Sequence, residues 1–188
     1  MKILTKDEVK LEKNDLVDQI KEGAVFIHPT DTIYGIGCNA VDSNAVKKVR
    51  ELKGRVKNPF SVIAPSKNWI YKNFEVSPEA KKWVEKLPGP YTLILKRKDG
   101  KIAESVAPGL DTLGIRIPDH WFSDVVKELG FPIITTSANK VSENFMTSME
   151  DLNSQIKEGM DFIVYEDKKK GRPSKIVDLT GDVKVIER

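Results

Sequence analysis

Three short polar segments carry most of the residues in this 188-residue chain that could do chemistry. They are residues 29–35, 53–55 and 135–139, and each comes directly after a predicted buried strand or helix. Together they offer hydroxyls, amides and two fixed cations. That combination suits a pocket for a phosphorylated ligand beside a small polar one.

The cations of the second segment, Lys53 and Arg55, flank Gly54 just past a predicted helix end. Arginine can grip phosphate oxygens as a planar fork, and lysine can do so as a point charge. Basic residues at a helix C-terminus also complement the helix dipole. Taken alone, the segment therefore leaves a purely structural explanation open.

The third segment places Ser137 and Asn139 after a predicted strand, where ligands commonly bind in open α/β sheets. These side chains can bind and orient a ligand, but they cannot act as an acid or base at neutral pH. Arg116 lies inside another apolar strand and needs an anion, because burying an unpaired charge is costly. The sequence leaves open whether that anion is a structural carboxylate or a ligand.

Composition limits the alternatives. The net charge of +3, from 31 basic and 28 acidic residues, is too mild for a basic nucleic-acid-binding arm. The single cysteine, Cys38, excludes an internal disulfide and a cysteine-cluster zinc site.

His28 is expected to pack at a strand end and His120 to be exposed near a helix start, with no metal-ligand spacing around either. No apolar run is long enough to span a membrane and no signal peptide is evident, so a cytoplasmic protein is expected.

The elements that must position these segments alternate between apolar bursts and amphipathic stretches. Helices are predicted near residues 16–20, 43–53, 77–87 and 122–129, and one from a capping box at Ser148 through Ile156. Strands are predicted near residues 24–27, 60–64, 91–95, 113–117, 131–135, 162–164, 176–179 and 183–186. No repeat or linker divides the chain. We therefore predict one α/β domain over residues 1–188, with a twisted, open mixed sheet flanked by helices.

Several motifs occur in an order that resembles the YrdC/Sua5 family of L-threonylcarbamoyladenylate synthases. They are Pro-Thr-Asp-Thr-Ile-Tyr-Gly (29–35), Lys-Gly-Arg (53–55) with Asn58-Pro59, Gly-Ile-Arg-Ile-Pro (114–118), Ser-Ala-Asn (137–139) and Gly-x-x-Ser-x-Ile-Val-Asp (171–178). The resemblance implies that L-threonine, bicarbonate and ATP give threonylcarbamoyl-AMP and pyrophosphate, the first step in modifying adenosine 37 of tRNAs to t6A. It also implies the open sheet shared with dihydroxybutanone phosphate synthase, in the short, single-domain form of the family.

The resemblance further implies the roles of individual residues. The ATP-binding set would be Lys53, Arg55, Asn58, Thr112, Asn139, Thr147 and Arg188. The L-threonine-binding set would be Thr32, Arg116, Ser137 and Ser174. Lys53 and Arg55 would act in catalysis electrostatically, with no general base. Mg²⁺ would arrive through the ATP phosphates, without a protein metal site. The expected partners are the downstream tRNA threonylcarbamoyltransferase machinery and a weak contact with tRNA or double-stranded RNA, with no membrane contact.

The chain departs from the family pattern at four places. Val56 follows Arg55 where relatives often have proline, and Ile63 stands where many longer relatives carry histidine. Lys175 replaces the usual threonine, and Val141-Ser142 replaces the usual Ser-Gly after Ser-Ala-Asn. Two other readings stay open at this point: an RNA-binding or ribosome-maturation factor of the same fold, and a domain that forms carbamoyl-adenylate.

Overall fold

The computed structural model of the chain describes residues 1–98, 102–140, 143–169 and 171–187. These residues form ten strands and seven α-helices. The strands β1 to β10 are Lys2–Leu4, Phe26–His28, Gly35–Gly37, Ser61–Ile63, Tyr91–Lys96, Thr112–Arg116, Ile133–Ser137, Phe162–Val164, Lys175–Asp178 and Lys184–Ile186. The helices α1 to α7 are Lys6–Leu11, Lys13–Lys21, Ser43–Lys53, Lys67–Asn73, Pro78–Glu85, Phe122–Leu129 and Ser154–Glu158.

All ten strands belong to one sheet, in the order β1-β8-β2-β3-β7-β4-β6-β5-β9-β10. Parallel and antiparallel pairs are mixed: β4 runs parallel to β6 but antiparallel to β7, and β5 runs parallel to β9 but antiparallel to β6. The predicted fold class, a mixed α/β sheet with flanking helices, is confirmed. Among the described residues, no helix has the length and apolar character needed to cross a lipid bilayer.

One row of residues crosses five neighbouring strands and faces the same side of the sheet, because directly opposed residues share a face. The row consists of Thr135, Ser61, Gly114, Ile94 and Asp178. The residues that precede or follow them along each strand point the other way and are buried in a large core, namely Ile134, Val62, Ile115, Leu93 and Val177. The apolar side of these strands is therefore filled, and the opposite side is mostly polar or small.

The two faces differ in how far helices cover them. Helices α3, α4, α5 and α7 all contribute buried residues to the large core on the apolar face. On the other face, α1, α2 and α6 pack over Phe26, Ile63, Ile133 and Phe162 in a second cluster. That cluster contains no residue of β5, β6 or β9. The polar half of this face is thus left open for a ligand.

The prediction of one continuous helix from Ser148 through Ile156 was wrong. The capping box at Ser148 exists, but it opens only a short 3-10 turn, Met149–Asp151. Asn153 then starts α7 separately by accepting hydrogen bonds from the amides of Gln155 and Ile156. The capping box at Ser148 therefore marks the start of a short 3-10 turn and not of a continuous helix.

The short strand β3 was also not predicted, because Gly35-Ile36-Gly37 has the composition of a loop. Its glycines are required by packing. A Cβ on Gly35 would lie 3.0 Å from Nε2 of His28, and one on Gly37 would lie 2.8 Å from the Phe26 ring. The missing side chains make room for two aromatic rings of β2 beneath the polar turn that precedes β3.

His28 is buried at the end of β2, as predicted, and its ring stacks on Phe122 at 5.1 Å between centroids. Its Nδ1 lies 3.2 Å from the carbonyl oxygen of Pro29. Nε2 has no hydrogen-bond partner within the part of the chain that the structure describes. Burial lowers the pKa of His28 to about 3, so the ring is neutral in the folded protein.

We predict that His28 makes folding stability depend on pH. An exposed histidine in the unfolded chain takes up a proton near pH 6.5, whereas the folded His28 does not until about pH 3. The stability is therefore full above pH 6.5 and lost as pH falls, by about 2 kcal/mol between pH 7 and pH 5. Urea unfolding of the wild type and of His28→Met at both pH values measures this, and an equal loss in both proteins contradicts it.

Candidate active site

A cavity of about 550 Å³ lies over the open, polar half of the sheet. Its charged lining residues, within the described ranges, are Arg55, Arg116 and Asp178. The remaining polar lining is made mainly of hydroxyls, from Thr30, Ser61, Thr92, Thr112, Thr135, Thr136, Ser137, Ser174 and Thr180. Such a lining can hold an anion and align uncharged groups, but it offers little acid or base chemistry.

Gly114 keeps the floor of this cavity flat. A Cβ at this position would lie 2.7 Å from Oγ of Ser61 and 3.1 Å from Cγ2 of Thr92. A larger residue would therefore push against both neighbouring strands and fill the centre of the cavity.

Arg116 marks one end of the cavity, at the last residue of β6, with only 5% of its surface exposed. Its Nη2 donates to the carboxylate of Asp31, and both Nη atoms lie 3.3 Å from Oγ1 of Thr32. The second oxygen of Asp31 accepts from the amide of Asp119 at 3.1 Å. The structural carboxylate that the sequence left open is thus present, and the same guanidinium also lines the cavity.

The turn that carries Thr32 is fixed by the hydroxyl of Thr30. That oxygen accepts from the amides of Thr32 and Ile33 at 3.1 and 3.2 Å, and it donates to the carbonyl of Ile33 at 2.7 Å. Close to this turn, the hydroxyls of Thr92 and Ser174 lie 2.7 Å apart. Thr32, Arg116 and Ser174, three of the four residues predicted to bind L-threonine, therefore gather at this end.

The chain between β8 and β9 brings Ser174 to the cavity and is anchored by Tyr34. The Tyr34 hydroxyl donates to the carbonyl of Glu166 and accepts from the Glu166 amide at 3.1 Å. Farther along, Gly171 packs so closely on the carbonyl of Thr32 that a Cβ there would collide with it. The connection thus lies directly against the turn that carries Thr32.

A carboxylate on the same connection holds three donors. Glu166 accepts from Nε1 of Trp121 at 2.7 Å, from His120, whose Nε2 lies 2.9 Å away, and from Lys169. Burial opposes ionisation here, but these three hydrogen bonds lower the pKa of Glu166 to about 2. The prediction that His120 is exposed was wrong, since only 11% of its side chain is exposed.

Arg55 marks the other side of the cavity. Its Nη1 lies 3.4 Å from Oγ1 of Thr136, and its guanidinium sits 5.5 Å from the ring centroid of Phe60. Among the described residues, its buried Nε has no hydrogen-bond partner, and no carboxylate is recorded in an ion pair with either Arg55 or Lys53. A half-buried cation that lines a cavity and has no recorded ion pair within the described ranges favours an anionic ligand.

Lys53, at the end of α3, lies outside the cavity lining, although it was predicted to bind ATP. It is only 3% exposed, and its Nζ donates to the carbonyl of Ser137 at 2.5 Å and to the carbonyl and Oδ1 of Asn139 at 2.6 and 3.3 Å. Burial, helped by the charge of Arg55, lowers its pKa to about 8. The ammonium group of Lys53 thus links residues 53–55 to residues 135–139 through hydrogen bonds.

The other predicted nucleotide residues are distributed unevenly. Thr112 lines the cavity, whereas Asn139 lies behind Ser137, which donates to its Oδ1 at 2.5 Å. Asn58 is exposed outside the lining, and Thr147 donates to Asp151 at 2.5 Å, also outside it. Arg188 lies outside the described residues. Arg55 and Ser174 therefore line the cavity itself, as expected, while Asn139 supports its wall.

Sequence reasoning assigned no role to several polar lining residues, notably Thr92 and Asp178. Both lie on correctly predicted strands and on the same face of the sheet as Ile94, so alternation along each strand could have indicated a polar face. Placing them together required the strand order, which joins β5 to β9 across more than 80 residues of chain. That order has no local signal.

Comparison with known proteins places the chain among relatives over nearly its full length. The Sua5/YciO/YrdC family, described under the heading "Telomere recombination", matches residues 18–188. A protein of Methanocaldococcus jannaschii, provisionally named a threonylcarbamoyl-AMP synthase, is 38% identical over 95% of this chain and 86% of its own length. The threonylcarbamoyl-AMP synthase of Bacillus subtilis is 37% identical over 73% of this chain and 42% of its own length. The chain spans about half or less of that relative and of the mouse enzyme.

Solved structures share the fold of this chain. The structure of Pyrococcus abyssi Sua5 with L-threonine superposes with a TM-score of 0.83 at 29% identity, covering 96% of this chain and 54% of the other. Escherichia coli YciO superposes with a TM-score of 0.86 over all of this chain and 94% of the other, and at 23% identity it supports the fold alone. From the family match and this fold, the chain belongs to the Sua5/YciO/YrdC family.

Proposed function

We propose that this chain is a threonylcarbamoyl-AMP synthase, which makes threonylcarbamoyl-AMP and pyrophosphate from L-threonine, bicarbonate and ATP. The observation that carries the proposal is the occurrence in one cavity of Arg55, which has no recorded carboxylate partner among the described residues, and of a hydroxyl-rich end around Arg116. Relatives named for this activity support it, as does the Pyrococcus Sua5 structure with L-threonine.

In this proposal the triphosphate lies against Arg55, with Thr112 on the cavity floor and Lys53 and Asn139 holding the adjoining wall. The described residues contain no cluster of three or more side chains suited to hold a metal ion. In this proposal, Mg²⁺ is coordinated mainly by the phosphate oxygens of ATP and by water, as is usual for the ion with nucleotides. When bound, Mg²⁺ would supply charge neutralisation on the phosphates.

L-threonine lies at the other end, with its carboxylate on Arg116, which Asp31 already contacts. The hydroxyls of Thr32 and Ser174 are available at this end for the remaining polar atoms of the amino acid, and Ser137 would contact it from the wall that Lys53 holds. Asp31 also balances part of the charge of Arg116, so a zwitterion is a better match for this end than a free anion.

The chemistry requires a carbamate, formed from the neutral threonine amine and bicarbonate with loss of water, to attack the α-phosphorus of ATP. A phosphorus–oxygen bond forms to the carbamate as the bond to the β-phosphate oxygen breaks, and pyrophosphate leaves. The side chains of the site contribute position and charge, not proton transfer. Arg55 stabilises the developing negative charge, and the Arg116 end holds the nucleophile in line.

We further propose that residues 1–188 act as one domain, in the cytoplasm. The product is a reactive mixed anhydride, so a tRNA threonylcarbamoyltransferase must consume it downstream. Any contact with tRNA or double-stranded RNA would be weak at a net charge of +3.

We predict that the purified protein releases pyrophosphate from ATP only when both L-threonine and bicarbonate are present. A coupled pyrophosphate assay with each substrate omitted in turn, together with mass detection of the adenylate, measures this. Equal release without L-threonine would instead favour a domain that forms carbamoyl-adenylate. Salt-sensitive RNA binding without any adenylate would favour the RNA-binding reading.

We predict an alkaline limb in the pH profile of kcat/KM for ATP, caused by Lys53. Above its pKa of about 8, Lys53 loses its charge and one donor, so the wall formed by Ser137 and Asn139 loosens. The variant Lys53→Met should be less active at every pH and lack this limb, whereas Lys48→Met on the same helix should keep it. An unchanged limb in Lys53→Met contradicts the assignment.

A further inference from the structure

The loop that carries Arg55 is held from inside by another arginine, Arg50, in the last turn of α3. Its Nη1 donates to three carbonyl oxygens of the loop, those of residues 55, 56 and 58, at 3.1, 3.2 and 3.2 Å. On the opposite side, Nε donates to the carbonyl of Ser105 at 2.6 Å and Nη2 to that of Val106 at 3.2 Å. One guanidinium thus joins two chain segments through five backbone carbonyls.

The ring of Phe60 supports this arrangement from below. The guanidinium of Arg50 lies 4.6 Å from the ring centroid, and that of Arg55 lies 5.5 Å from the same centroid. The amide of Phe60 donates to the carbonyl of Val106 at 2.9 Å, which fixes the ring relative to the second segment. A flat side chain with donors on two edges is needed here, and lysine lacks that shape.

The loop has little else to define its shape. Gly54 ends α3 in the left-handed region, at φ +62°, and the amide of Arg55 returns to the carbonyl of Arg50 at 2.9 Å. Beyond that point, Val56 is 82% exposed, so its side chain packs very little. Valine also leaves the backbone φ angle free, unlike a proline. The hydrogen bonds from Arg50 to the carbonyls of residues 55, 56 and 58 therefore supply most of the order of this loop.

We propose that Arg50 is a positioning residue, which orders residues 55–58 so that the guanidinium of Arg55 faces the cavity. Arg50 does not itself line the cavity, and so it acts on a nucleotide only through this loop. Its part in ATP binding rests on the proposed function, whereas its part in ordering the loop does not.

The first test needs no ligand, because the loop contains two trypsin sites, after Arg55 and after Lys57. Without the carbonyl contacts the loop should open, and cleavage at these two sites in Arg50→Met should be at least about 10-fold faster than in the wild type. Lys48→Met, which removes an exposed charge from the same helix, serves as the matched control. Arg50→Lys is made as well, and it is used for all measurements if Arg50→Met does not fold. Cleavage no faster than in the control overturns the proposal.

The second test measures ATP and L-threonine affinity separately by calorimetry, on variants whose thermal unfolding shows them folded. We expect ATP to bind about 10-fold more weakly to the Arg50 variant, and L-threonine to bind within twofold of the wild type. Equal weakening of both ligands, or unchanged ATP affinity, overturns the positioning role. A wild type that binds no ATP would contradict the proposed function instead, and the trypsin test would still decide how the loop is ordered.

Discussion

The cavity depends on incomplete coverage of one face of the sheet. Alternation along β4, β5, β6 and β9 sends one set of side chains into a large core, so these strands are held firmly from one side. The helices on the other face stop short of β5, β6 and β9, and the row of residues there is mostly polar or small. The alternation of side chains along these strands therefore gives the cavity both a rigid floor and an open side. A ligand site built on strands in this way needs little movement to keep its shape.

Three cations lie close together beside this floor, and the structure gives each a different task. Arg50 binds backbone carbonyls on both sides of the loop, Lys53 ties that region to Ser137 and Asn139, and Arg55 alone of the three faces the cavity. Burial lowers the pKa of both Arg50 and Lys53, and the charge of Arg55 lowers both further. The carbonyl oxygens offset this cost in the free protein, and a triphosphate would offset it further.

Much of the fold and part of the cavity could be predicted from the sequence, and what could not be predicted has a physical reason. The strands of the cavity floor and helices α3 and α6 were predicted because the spacing of apolar residues and the glycines at helix ends can be read from the local sequence. β3 was missed because its glycines are explained only by the rings of Phe26 and His28 across the strand pair. The motif order predicted Arg55, Arg116 and Ser174 at one cavity, but not that Lys53 would contact only backbone and amide oxygens among its recorded hydrogen bonds. Residue type indicates which charge is present, and the surrounding fold decides what that charge contacts.

The two ends of the cavity differ in charge, and under the proposed function this difference favours a different substrate at each end. At one end Arg116 is paired with Asp31, so the local charge is close to neutral and hydroxyls dominate. At the other end Arg55 has no recorded carboxylate partner among the described residues, and Lys53 and Arg50 stand behind it. A polyanion gains most where positive charge is uncompensated, and a zwitterion gains most where both signs are present. If the substrates exchanged places, the triphosphate would lie against Asp31 and the ammonium group against Arg55. Both contacts would be repulsive, so the proposed arrangement is the one that the charges of Arg55, Arg116 and Asp31 favour.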